Sequence, residues 1–462
     1  MTDTGEQPRR FGSLGEMRQA AIDAHQKGDT ARARDLYRRY LSGAPKDSVI
    51  WSNLGVLFRK TKNYEMAAAC QRRALHVAPN ALAVLNNASN AFFDTGYAEE
   101  ALSLRRRAIA MEPGNMDHYA CLGKYLRALN RYDEARAELE KALRVAPDNV
   151  ELHLQLSFVL LSLGDYAGGF KEFEWRWQGN EISPPEFDFP QWRGEDVAGK
   201  TLVVVPEQGF GDTVLMARFL GGLADRGCKI KWVCKPPLRR IFSALPMIDS
   251  FVDTQDQVAD CDLWTPMMDL PRYLGVTLQD VPPPVTLAIP ADSVTRAENL
   301  TRPYGDMLKI GVLWSGSVTY RANHKRSFSH RHFLRLANIP GVQLFSLYKG
   351  SLVEAFHADG TACVILDAAS MDRDFADSAA LIQKLDLVIT MDSAIAHISG
   401  SLGVKVWNIL HSEAYWLYAP YPDHTPWYPC MRLIRQKDSG DWDSVFDLLE
   451  DEITALAQEK TP

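Results

Sequence analysis

The sequence lacks the features that mark membrane-spanning and exported proteins. No uninterrupted apolar run reaches the length of about 18 residues that a transmembrane helix needs. The N-terminal stretch MTDTGEQPRRFGSLGEM has no apolar core of signal-peptide length. These two absences lead us to expect a cytoplasmic protein with no membrane span.

The sequence also lacks the signatures of several ligand classes. Its seven cysteines are scattered, without a Cys-x-x-Cys pair or a cysteine–histidine spacing typical of metal ligands, so we expect reduced thiols and no metal site. A net charge of −7 argues against nucleic acid, which usually meets a basic face. Gly209-x-Gly211 lacks the third glycine of a dinucleotide fingerprint, and no Gly-Lys-Ser/Thr follows it, so neither an NAD site nor a P-loop is expected.

A 34-residue period is the strongest pattern that is present. Prolines recur at this step, at Pro45, Pro79, Pro113 and Pro147, and so do alanines, at Ala33, Ala67, Ala101 and Ala135. The period and the segment Trp51-x-x-Leu54-Gly55-x-x-Phe58 match the tetratricopeptide repeat, a pair of antiparallel helices. We predict a solenoid over residues 14–177, with four full repeats and an altered fifth in 150–177.

A solenoid of this kind offers a concave groove that most often takes an extended peptide or a segment of a partner protein. Four asparagines fall on the predicted first helices of their repeats, at Asn53, Asn86, Asn87 and Asn90. Their carboxamides could hydrogen-bond a peptide backbone, or they could be ordinary solvated positions. A passive scaffold or dimerisation arm is the alternative use of the solenoid.

The pattern changes after the solenoid. Residues 178–198 contain three prolines and no helical period, and we predict a linker packed through Phe187, Phe189 and Trp192. Short apolar runs then alternate with amphipathic stretches, which indicates two parallel α/β lobes over 199–290 and 305–440, followed by a C-terminal helix in 441–462. The predicted fold class is therefore an all-α solenoid followed by a pair of Rossmann-type lobes.

Ligands of open parallel sheets bind at the carboxyl ends of the strands, so the residues just after each predicted strand are candidate site residues. The loop after the first strand of the first lobe supplies Gln208, Gly209, Gly211 and Asp212. The corresponding positions of the second lobe supply Ser315, Arg326, Lys349, Gly350, Asp392, Ser393 and His397. The acid and glycines of the first lobe suit the binding of an acceptor. The basic and hydroxylic groups of the second lobe suit the binding of a diphosphate donor.

The segments VVPEQGFGDTVLM, LWSGS, SLYKG and MDSAIAHISGSLG carry a family resemblance. Together with the repeats, they resemble bacterial tetratricopeptide proteins with a GT-B-like glycosyltransferase domain. Those proteins are related to lipopolysaccharide heptosyltransferases and are similar in plan to protein O-GlcNAc transferases. The Gln-Gly-x-Gly-Asp and Asp-Ser-x-x-x-His segments are the most specific parts of the resemblance.

The resemblance implies inverting sugar transfer from a nucleotide-sugar without a metal and without any cofactor beyond that co-substrate. On matching positions, Asp212 resembles the general base, and Lys349 with Gly350 resembles the donor-diphosphate contact. Ser315, Ser393 and Arg326 are further phosphate candidates, while Asp392 and His397 would shape the sugar and nucleotide pocket. A protein acceptor, for which a flagellin-like protein is one candidate, is implied for the solenoid.

Each of these assignments has a structural alternative. Asp212, or Asp392 with Ser393, could simply cap the helix that follows, and His397 could be a satisfied core residue. The aromatic segment from Tyr415 to Tyr428 could stack on a sugar or pack across the two lobes. At the level of function, the alternatives are a solenoid adaptor with an inactive transferase-like module, and a transferase that acts on a surface or lipid-linked glycan.

Overall fold

The computed structural model describes residues 11–179, 182–253, 255–320, 322–413 and 415–460. Residues 1–10, where no signal segment is expected, lie outside this part of the chain, as do residues 461 and 462 of the predicted C-terminal segment. The chain forms two compact units, Met1–Leu156 and Ser157–Pro462. Over the described ranges, no helix has both the length and the apolarity that crossing a bilayer requires.

The first unit consists of helical hairpins. Its helices are α1 Leu14–Gln26, α2 Thr30–Gly43, α3 Ser48–Lys60, α4 Tyr64–Val77, α5 Leu82–Asp94, α6 Ala98–Met111, α7 Met116–Ala128, α8 Tyr132–Leu143 and α9 Val150–Ser162, the last of which continues into the second unit. The hairpin turns place one residue in the left-handed region at the predicted 34-residue step: Gly28 with φ 77°, Lys62 with φ 60°, Gly96 with φ 88° and Asn130 with φ 57°. Glycine and asparagine adopt this conformation most readily, so a glycine or asparagine at this position favours the turn.

The small residues of the repeat pack the two helices of each hairpin together. Ala33, Ala67, Ala101 and Ala135 are all fully buried. On the facing first helices, a Cβ added to Gly55 would lie 2.6 Å from the side chain of Gln71, and one added to Gly123 would lie 2.7 Å from the side chain of Leu139. The period seen in the sequence is therefore the period of close helix contact.

The division between the units falls earlier than the predicted end of the solenoid at residue 177. Helix α10, Tyr166–Phe173, and the 3₁₀ turn Glu174–Gln178 belong to the second unit. Tyr166 and Phe170 make edge contacts with Trp416, with ring centroids 5.9 and 5.7 Å apart. The aromatic side chains at the end of the altered repeat therefore pack within the second unit, against Trp416.

The second unit contains two parallel sheets. The first has the order β3-β2-β1-β4, and its strands are β1 Thr201–Val205, β2 Lys229–Trp232, β3 Ser250–Phe251 and β4 Leu263–Pro266. The second has the order β10-β9-β8-β5-β6-β7, and its strands are β5 Leu308–Leu313, β6 Val342–Ser346, β7 Ile365–Asp367, β8 Leu387–Met391, β9 Val406–Leu410 and β10 Met431–Arg435. Counted from β5, the second sheet has the strand order of a doubly wound nucleotide-binding fold, and the first sheet has the beginning of the same order.

The remaining helices of the second unit lie between these strands and after the last one. They are α11 Phe210–Met216, α12 Leu220–Ala224, α13 Arg239–Phe242, α14 Leu270–Tyr273, α15 Ala291–Thr301, α16 Asn323–Arg326, α17 Leu334–Ala337, α18 Val353–Ala358, α19 Phe375–Ile382, α20 Ala394–Ser401 and α21 Trp442–Lys460. A 3₁₀ turn at Ala217–Phe219 separates α11 from α12. The fold class, a helical solenoid followed by parallel α/β sheets, is confirmed.

One apolar core runs between the sheets and helices of the second unit, with a smaller cluster on the other face of the first sheet. The predicted linker packs as expected. Phe187 and Phe189 stack with ring centroids 5.0 Å apart and cover the smaller cluster, and Trp192 is fully buried. Residues 178–198 are therefore bound to the first sheet by aromatic side chains along the described part of their length.

Candidate functional site

The carboxyl edges of both sheets contain a topological switch point, where successive crossovers run in opposite directions. In the first sheet this point lies between β1 and β4, and in the second between β5 and β8. Loops that leave adjacent strands in opposite directions open a crevice, which is where open α/β sheets bind ligands. Helix α11, which follows β1, packs against helix α20, which follows β8. The two switch points are thereby joined in one region of the second unit.

Asp212 lies in the first turn of α11. Its Oδ2 accepts a hydrogen bond of 3.0 Å from the backbone N–H of Gly209, the residue before the helix, so the carboxylate does cap this helix. The other oxygen, Oδ1, is approached by the hydroxyl of Tyr415 at 3.5 Å, the long end of hydrogen-bond distances. Capping therefore occupies one carboxylate oxygen and leaves the second weakly bonded.

Burial raises the pKa of Asp212 to about 6, and the negative charge of Asp392 adds to the rise. The backbone N–H of Gly209 and the cation of Arg326 oppose it. Asp392 and Arg326 belong to the second sheet and its loops, so the acid of the first lobe is electrostatically coupled to the second. A carboxylate with this pKa is ionised at neutral pH and remains a stronger proton acceptor than an ordinary aspartate.

Arg326 links the β5 and β8 loops of the second sheet. It lies 3.4 Å from Asp392 Oδ2, and its Nε donates to Asn323 Oδ1 at 3.3 Å. Asn323 in turn donates to the hydroxyl of Ser315 at 3.1 Å. A Cβ on Gly316 would lie 2.9 Å from the Arg326 guanidinium, so the glycine makes room for it. Three of the predicted residues, Ser315, Arg326 and Asp392, thus share one hydrogen-bonded group.

Ser393 and His397 belong to α20. Ser393 is the N-cap, and its hydroxyl accepts from the N–H of Ala396 at 3.3 Å, as the sequence predicts for a helix opening there. His397 is 4% exposed, with Nδ1 3.1 Å from the hydroxyl of Tyr428. Burial, with Arg218 and Arg326 nearby, lowers the pKa of His397 to about 3, so its ring is neutral. These contacts match the core interpretation of His397.

Gly211 lies at a close approach between α11 and α20. A Cβ added there would lie 2.9 Å from Cδ2 of His397 and 3.4 Å from the backbone N of Ala394. Only a residue without a side chain lets the first turn of α11 lie this close to α20. The requirement for glycine at this position of the predicted loop is therefore a packing requirement.

Lys349 and Gly350 are not brought into this group by any described contact. The Lys349 ammonium donates to the backbone carbonyl of Asp372, and the side chain is exposed. Burial raises the pKa of the Asp372 carboxyl, also to about 6. Gly350 packs beside the Tyr348 hydroxyl, which would lie 2.7 Å from an added Cβ. Both residues follow β6, one strand away from the switch point at β5 and β8.

Lys235 is a site neighbour that sequence reasoning missed. It follows β2, and its ammonium donates to the backbone carbonyl of Gln208 and lies 5.5 Å from the Phe210 ring centroid. Burial lowers the pKa of Lys235, although the Asp212 carboxylate opposes the shift. The rule that selected Asp212, a chemically active residue just after a strand, applies equally to Lys235.

A buried ionic cluster at the switch point of the first sheet was also missed. Arg176 donates two hydrogen bonds to Glu207, at 2.7 and 2.9 Å, and one to Asp269 at 2.7 Å. Glu207 follows β1 and Asp269 follows β4, while Arg176 is only 5% exposed. Burial raises the pKa of both carboxyl groups despite the arginine. The cluster fixes the start of the loop that ends in Asp212.

The aromatic segment near the C-terminus packs between elements of the two lobes, which confirms the packing interpretation. Trp427 donates its indole N–H to the Tyr166 hydroxyl at 2.8 Å. Arg218, in the 3₁₀ turn after α11, donates to the backbone carbonyls of Trp427 and Pro282 at 3.0 and 3.1 Å. Tyr418 and Trp427 are fully buried, so neither presents a face to a ligand.

The geometry supports proton transfer and anion binding at one place. Asp212 Oδ1 is a proton acceptor, and Arg326 with Ser315 and Ser393 offers a cation and hydroxyl groups across the crevice. Over the described ranges, no group of three or more His, Cys, Asp or Glu side chains is arranged to hold a metal ion.

Family matches among known proteins fall on the repeats, whereas a match to one curated protein covers more of the chain. Residues 18–81 match the family described as tetratricopeptide repeat, and residues 123–164 match the family described as TPR repeat. Protein FlbA of Caulobacter vibrioides is 25% identical over 352 residues, which span 68% of this chain and 57% of FlbA. Because the first unit is about a third of the chain, this match extends into the second unit. The chain thus spans less than two thirds of the length of this curated relative.

Two solved structures that resemble this chain each cover about a third of it. The crystal structure of MamA protein is 18% identical, with a TM-score of 0.33, and the match covers 36% of this chain and 90% of MamA. A tetratricopeptide repeat protein from Parabacteroides merdae is 20% identical, with a TM-score of 0.34 and coverage of 36% of this chain and 67% of that protein. Together with the repeat families, the geometry of the hairpins establishes that the N-terminal part of this chain is a tetratricopeptide-repeat solenoid.

Proposed function

We propose that the second unit is a GT-B-like glycosyltransferase module that transfers a sugar from a nucleotide-sugar to an acceptor, with inversion and without a metal. The observation that carries the proposal is the position of Asp212. This carboxylate has a raised pKa at one switch point, and it is coupled to the Arg326 and Asp392 pair at the other. A proton acceptor on one side and a phosphate-compatible cation on the other are what such a transfer requires.

The proposed reaction assigns separate tasks to the two lobes. The acceptor hydroxyl attacks the anomeric carbon of the sugar and loses its proton to Asp212 Oδ1. The bond from the anomeric carbon to the diphosphate oxygen breaks, and the nucleoside diphosphate leaves with both electrons. Because the acceptor and the leaving group lie on opposite faces of the sugar, the anomeric configuration inverts.

The leaving diphosphate is assigned to the second lobe. Arg326 supplies a guanidinium, while Ser315 and Ser393 supply hydroxyl groups close to the same strand ends. Lys349 is assigned to the donor as well, since its exposed ammonium is bound to a single backbone carbonyl and can exchange it for a phosphate oxygen. Asp392 holds Arg326 in place between these groups.

The acceptor is assigned to a protein bound by the solenoid. Tetratricopeptide repeats commonly bind segments of other proteins in their concave groove, and the first unit of this chain consists of such repeats. A flagellin-like acceptor remains one candidate within this proposal. The sugar chemistry itself is independent of which protein the solenoid selects.

Thermal unfolding with UDP, GDP, ADP and CMP, alone and as their sugars, tests the donor site first. One nucleotide should raise the midpoint of wild-type unfolding, because a ligand that binds only the folded chain stabilises it, and Lys349→Ala should reduce the rise. Absence of a shift with every nucleotide would favour the adaptor function. The Asp212→Asn variant should keep the nucleotide shift and lose about 10²- to 10⁴-fold in transfer rate.

Asp165→Asn is the matched control for Asp212→Asn. Asp165 caps α10 in the same unit, accepting from the N–H of Gly168 at 2.9 Å. Both substitutions keep a capping carbonyl oxygen and remove a negative charge. Transfer should survive in Asp165→Asn, whereas full transfer by Asp212→Asn would exclude Asp212 as the base.

A further inference from the structure

Two adjacent arginines of α13 have partners in different parts of the second unit. Arg239 donates to Asp253 at 2.8 Å and to the backbone carbonyl of Val252 at 3.2 Å, so its partners lie in the first lobe. The described side-chain partners of Arg240 all lie beyond residue 290, on α15 and α19. The two side chains are 26% and 32% exposed, so their access to solvent is similar. Arg239 therefore binds within its own lobe, whereas Arg240 binds across to the second.

The guanidinium of Arg240 lies between two carboxylates. Its Nη2 donates to the two oxygens of Asp292 at 2.9 and 3.0 Å, and its Nη1 lies 3.2 Å from each oxygen of Asp374. A third carboxylate, that of Asp377, lies 3.8 Å from Nη1. Asp292 is in the first turn of α15, Asp374 is the N-cap of α19, and α15 packs against α19. Three acids on two neighbouring helices thus bind one cation from the other lobe.

The second lobe supplies more negative than positive charge to this cluster. Arg373, which precedes α19, donates to Asp377 at 2.8 and 2.7 Å and pairs with Asp292 at 2.7 Å. The side chain of Asp377 is fully buried, and Ser293 also donates to it, at 2.6 Å. One arginine of the second lobe therefore faces three carboxylates, and Arg240 supplies a second cation. Removal of Arg240 would leave excess negative charge at the start of α19.

The first turn of α19 also contacts the loop that carries Asp212. Phe375, which directly follows Asp374, packs edge-on against Phe210, with ring centroids 5.1 Å apart. Phe210 is the first residue of α11, two positions before Asp212. Consecutive residues of α19 thus contact Arg240 and the loop. Because a hydrogen-bonded helical turn holds its residues in fixed relation, a shift at Asp374 also displaces the ring that packs on Phe210.

We propose that Arg240 and its three carboxylate partners form a latch that holds the first turn of α19 against the loop of Asp212. The arginine of the latch is partly exposed, so added salt weakens these ion pairs. When the latch is broken, residues 209–216 lose their support from α19 and open locally more often. The inference concerns how the crevice is held together and not which ligand enters it, so it goes beyond the proposed function and does not rest on sugar transfer.

Amide hydrogen exchange of the full chain, followed by mass spectrometry of its peptides, tests the latch directly. Arg240→Met keeps an unbranched side chain that can pack in the same place, and it removes the cation. The variant should exchange about three- to tenfold faster than the wild type in residues 209–216 and in α19, because both segments open more often without the latch. Unchanged exchange of residues 209–216 in this variant would overturn the proposal.

Arg239→Met is the matched control. It removes a cation of similar exposure from the same helix, and the carboxylate that it leaves unpaired, Asp253, lies in the first lobe. Exchange should rise at residues 250–253 and stay at the wild-type rate in residues 209–216 and in α19. An equal rise at residues 209–216 in both variants would show that the loop responds to any loss of charge on α13, which would exclude the latch.

Salt gives a second test, which does not depend on the folding of a variant. Raising sodium chloride from about 0.05 to about 0.5 M shortens the screening length about threefold, so it should speed exchange of residues 209–216 in the wild type. Arg240→Met, which lacks the latch, should show no further increase. A wild-type loop that does not respond to salt would contradict the latch. Neither test uses a nucleotide or an acceptor, so the latch can fail while the proposed transferase stands, and the reverse.

Discussion

Two buried arginines of this chain differ in their surroundings. Arg176 in the second unit contacts two carboxylates, Glu207 and Asp269, while Arg105 in the first unit contacts amides, a hydroxyl, an imidazole and the ring of Tyr125, 5.8 Å from its centroid. They are 5% and 3% exposed, so their burial is nearly equal. The difference lies in the compensating charge. Arg176 is in direct contact with carboxylates, whereas no described carboxylate contacts Arg105 directly, and Glu112 lies on the far side of the His118 ring, 3.5 Å from its Nε2.

This difference distinguishes a buried cation that contacts carboxylates directly from one that is surrounded by neutral groups. The two carboxylates bind Arg176 from strands β1 and β4, so it fixes the switch point of the first sheet. Arg105 fixes the orientation of two carboxamides, and the ring of His118 separates it from the carboxylate of Glu112. Stability measurements should therefore separate the two residues although their exposure does not.

The largest effect is expected from Arg176→Met. The substitution leaves Glu207 and Asp269 buried side by side, which should lower the free energy of unfolding by about 3–5 kcal/mol. Without the cation the pKa of both carboxyl groups rises further, so the folded chain binds more protons than the unfolded chain, and stability falls as pH rises. Urea unfolding at pH 5 and pH 8 should show the greater loss at pH 8.

Asp269→Asn is the control for that variant, because it leaves Arg176 with one carboxylate partner. Its loss of stability should be smaller, of the order of one charged hydrogen bond, about 1.5–3 kcal/mol. Equal losses at both pH values in Arg176→Met would contradict an uncompensated pair of carboxylates.

An intermediate effect, of opposite sign, is expected from Asp212→Asn. The pKa of Asp212 is raised to about 6 in the folded chain, so the wild type loses stability as pH rises from about 4 to 6. Removing this group should make the variant more stable than the wild type at pH 7, by an amount of the order of 2 kcal/mol. Urea unfolding of both proteins at pH 4 and pH 7 measures the difference. Parallel pH profiles would show that Asp212 has an ordinary pKa.

The smallest effect is expected from Arg105→Leu. Leucine is the residue of the fourth repeat at this register, and replacing a buried cation that contacts no described carboxylate with an apolar side chain should change the free energy of unfolding by less than about 1 kcal/mol. Arg105→Ala should cost more, since it leaves a cavity. If Arg105→Leu were as destabilising as Arg176→Met, the distinction between the two arginines would fail.

The sequence was sufficient to predict the parts of the fold that depend on local signals. The repeat period predicted the solenoid, the alternation of apolar and amphipathic stretches predicted the α/β lobes, and Ser393 was a candidate cap for the helix that begins after it. The Arg176 cluster could not be found in this way, because its partners are 31 and 93 residues away in the chain. Contacts over such distances depend on strand order, which no local pattern encodes.

Strand order also explains the position of Lys349. It follows a strand of the second sheet, as the prediction required, but that strand is β6, and the switch point lies on the other side of β5. From there its ammonium binds the carbonyl of Asp372, which follows β7. The residues that follow each strand can be identified from the sequence, but which of these strand ends are adjacent in the sheet cannot.

Helix α20 is enclosed by close contacts on two sides. Gly211 brings the first turn of α11 against His397, and the ring of Tyr428 would lie 2.5 Å from a Cβ on Gly400. A helix of eight residues would ordinarily unwind on its own many times before the domain unfolds. Both contacts pack directly against α20, so its local unwinding should be coupled to movement of α11 or of the C-terminal aromatic segment.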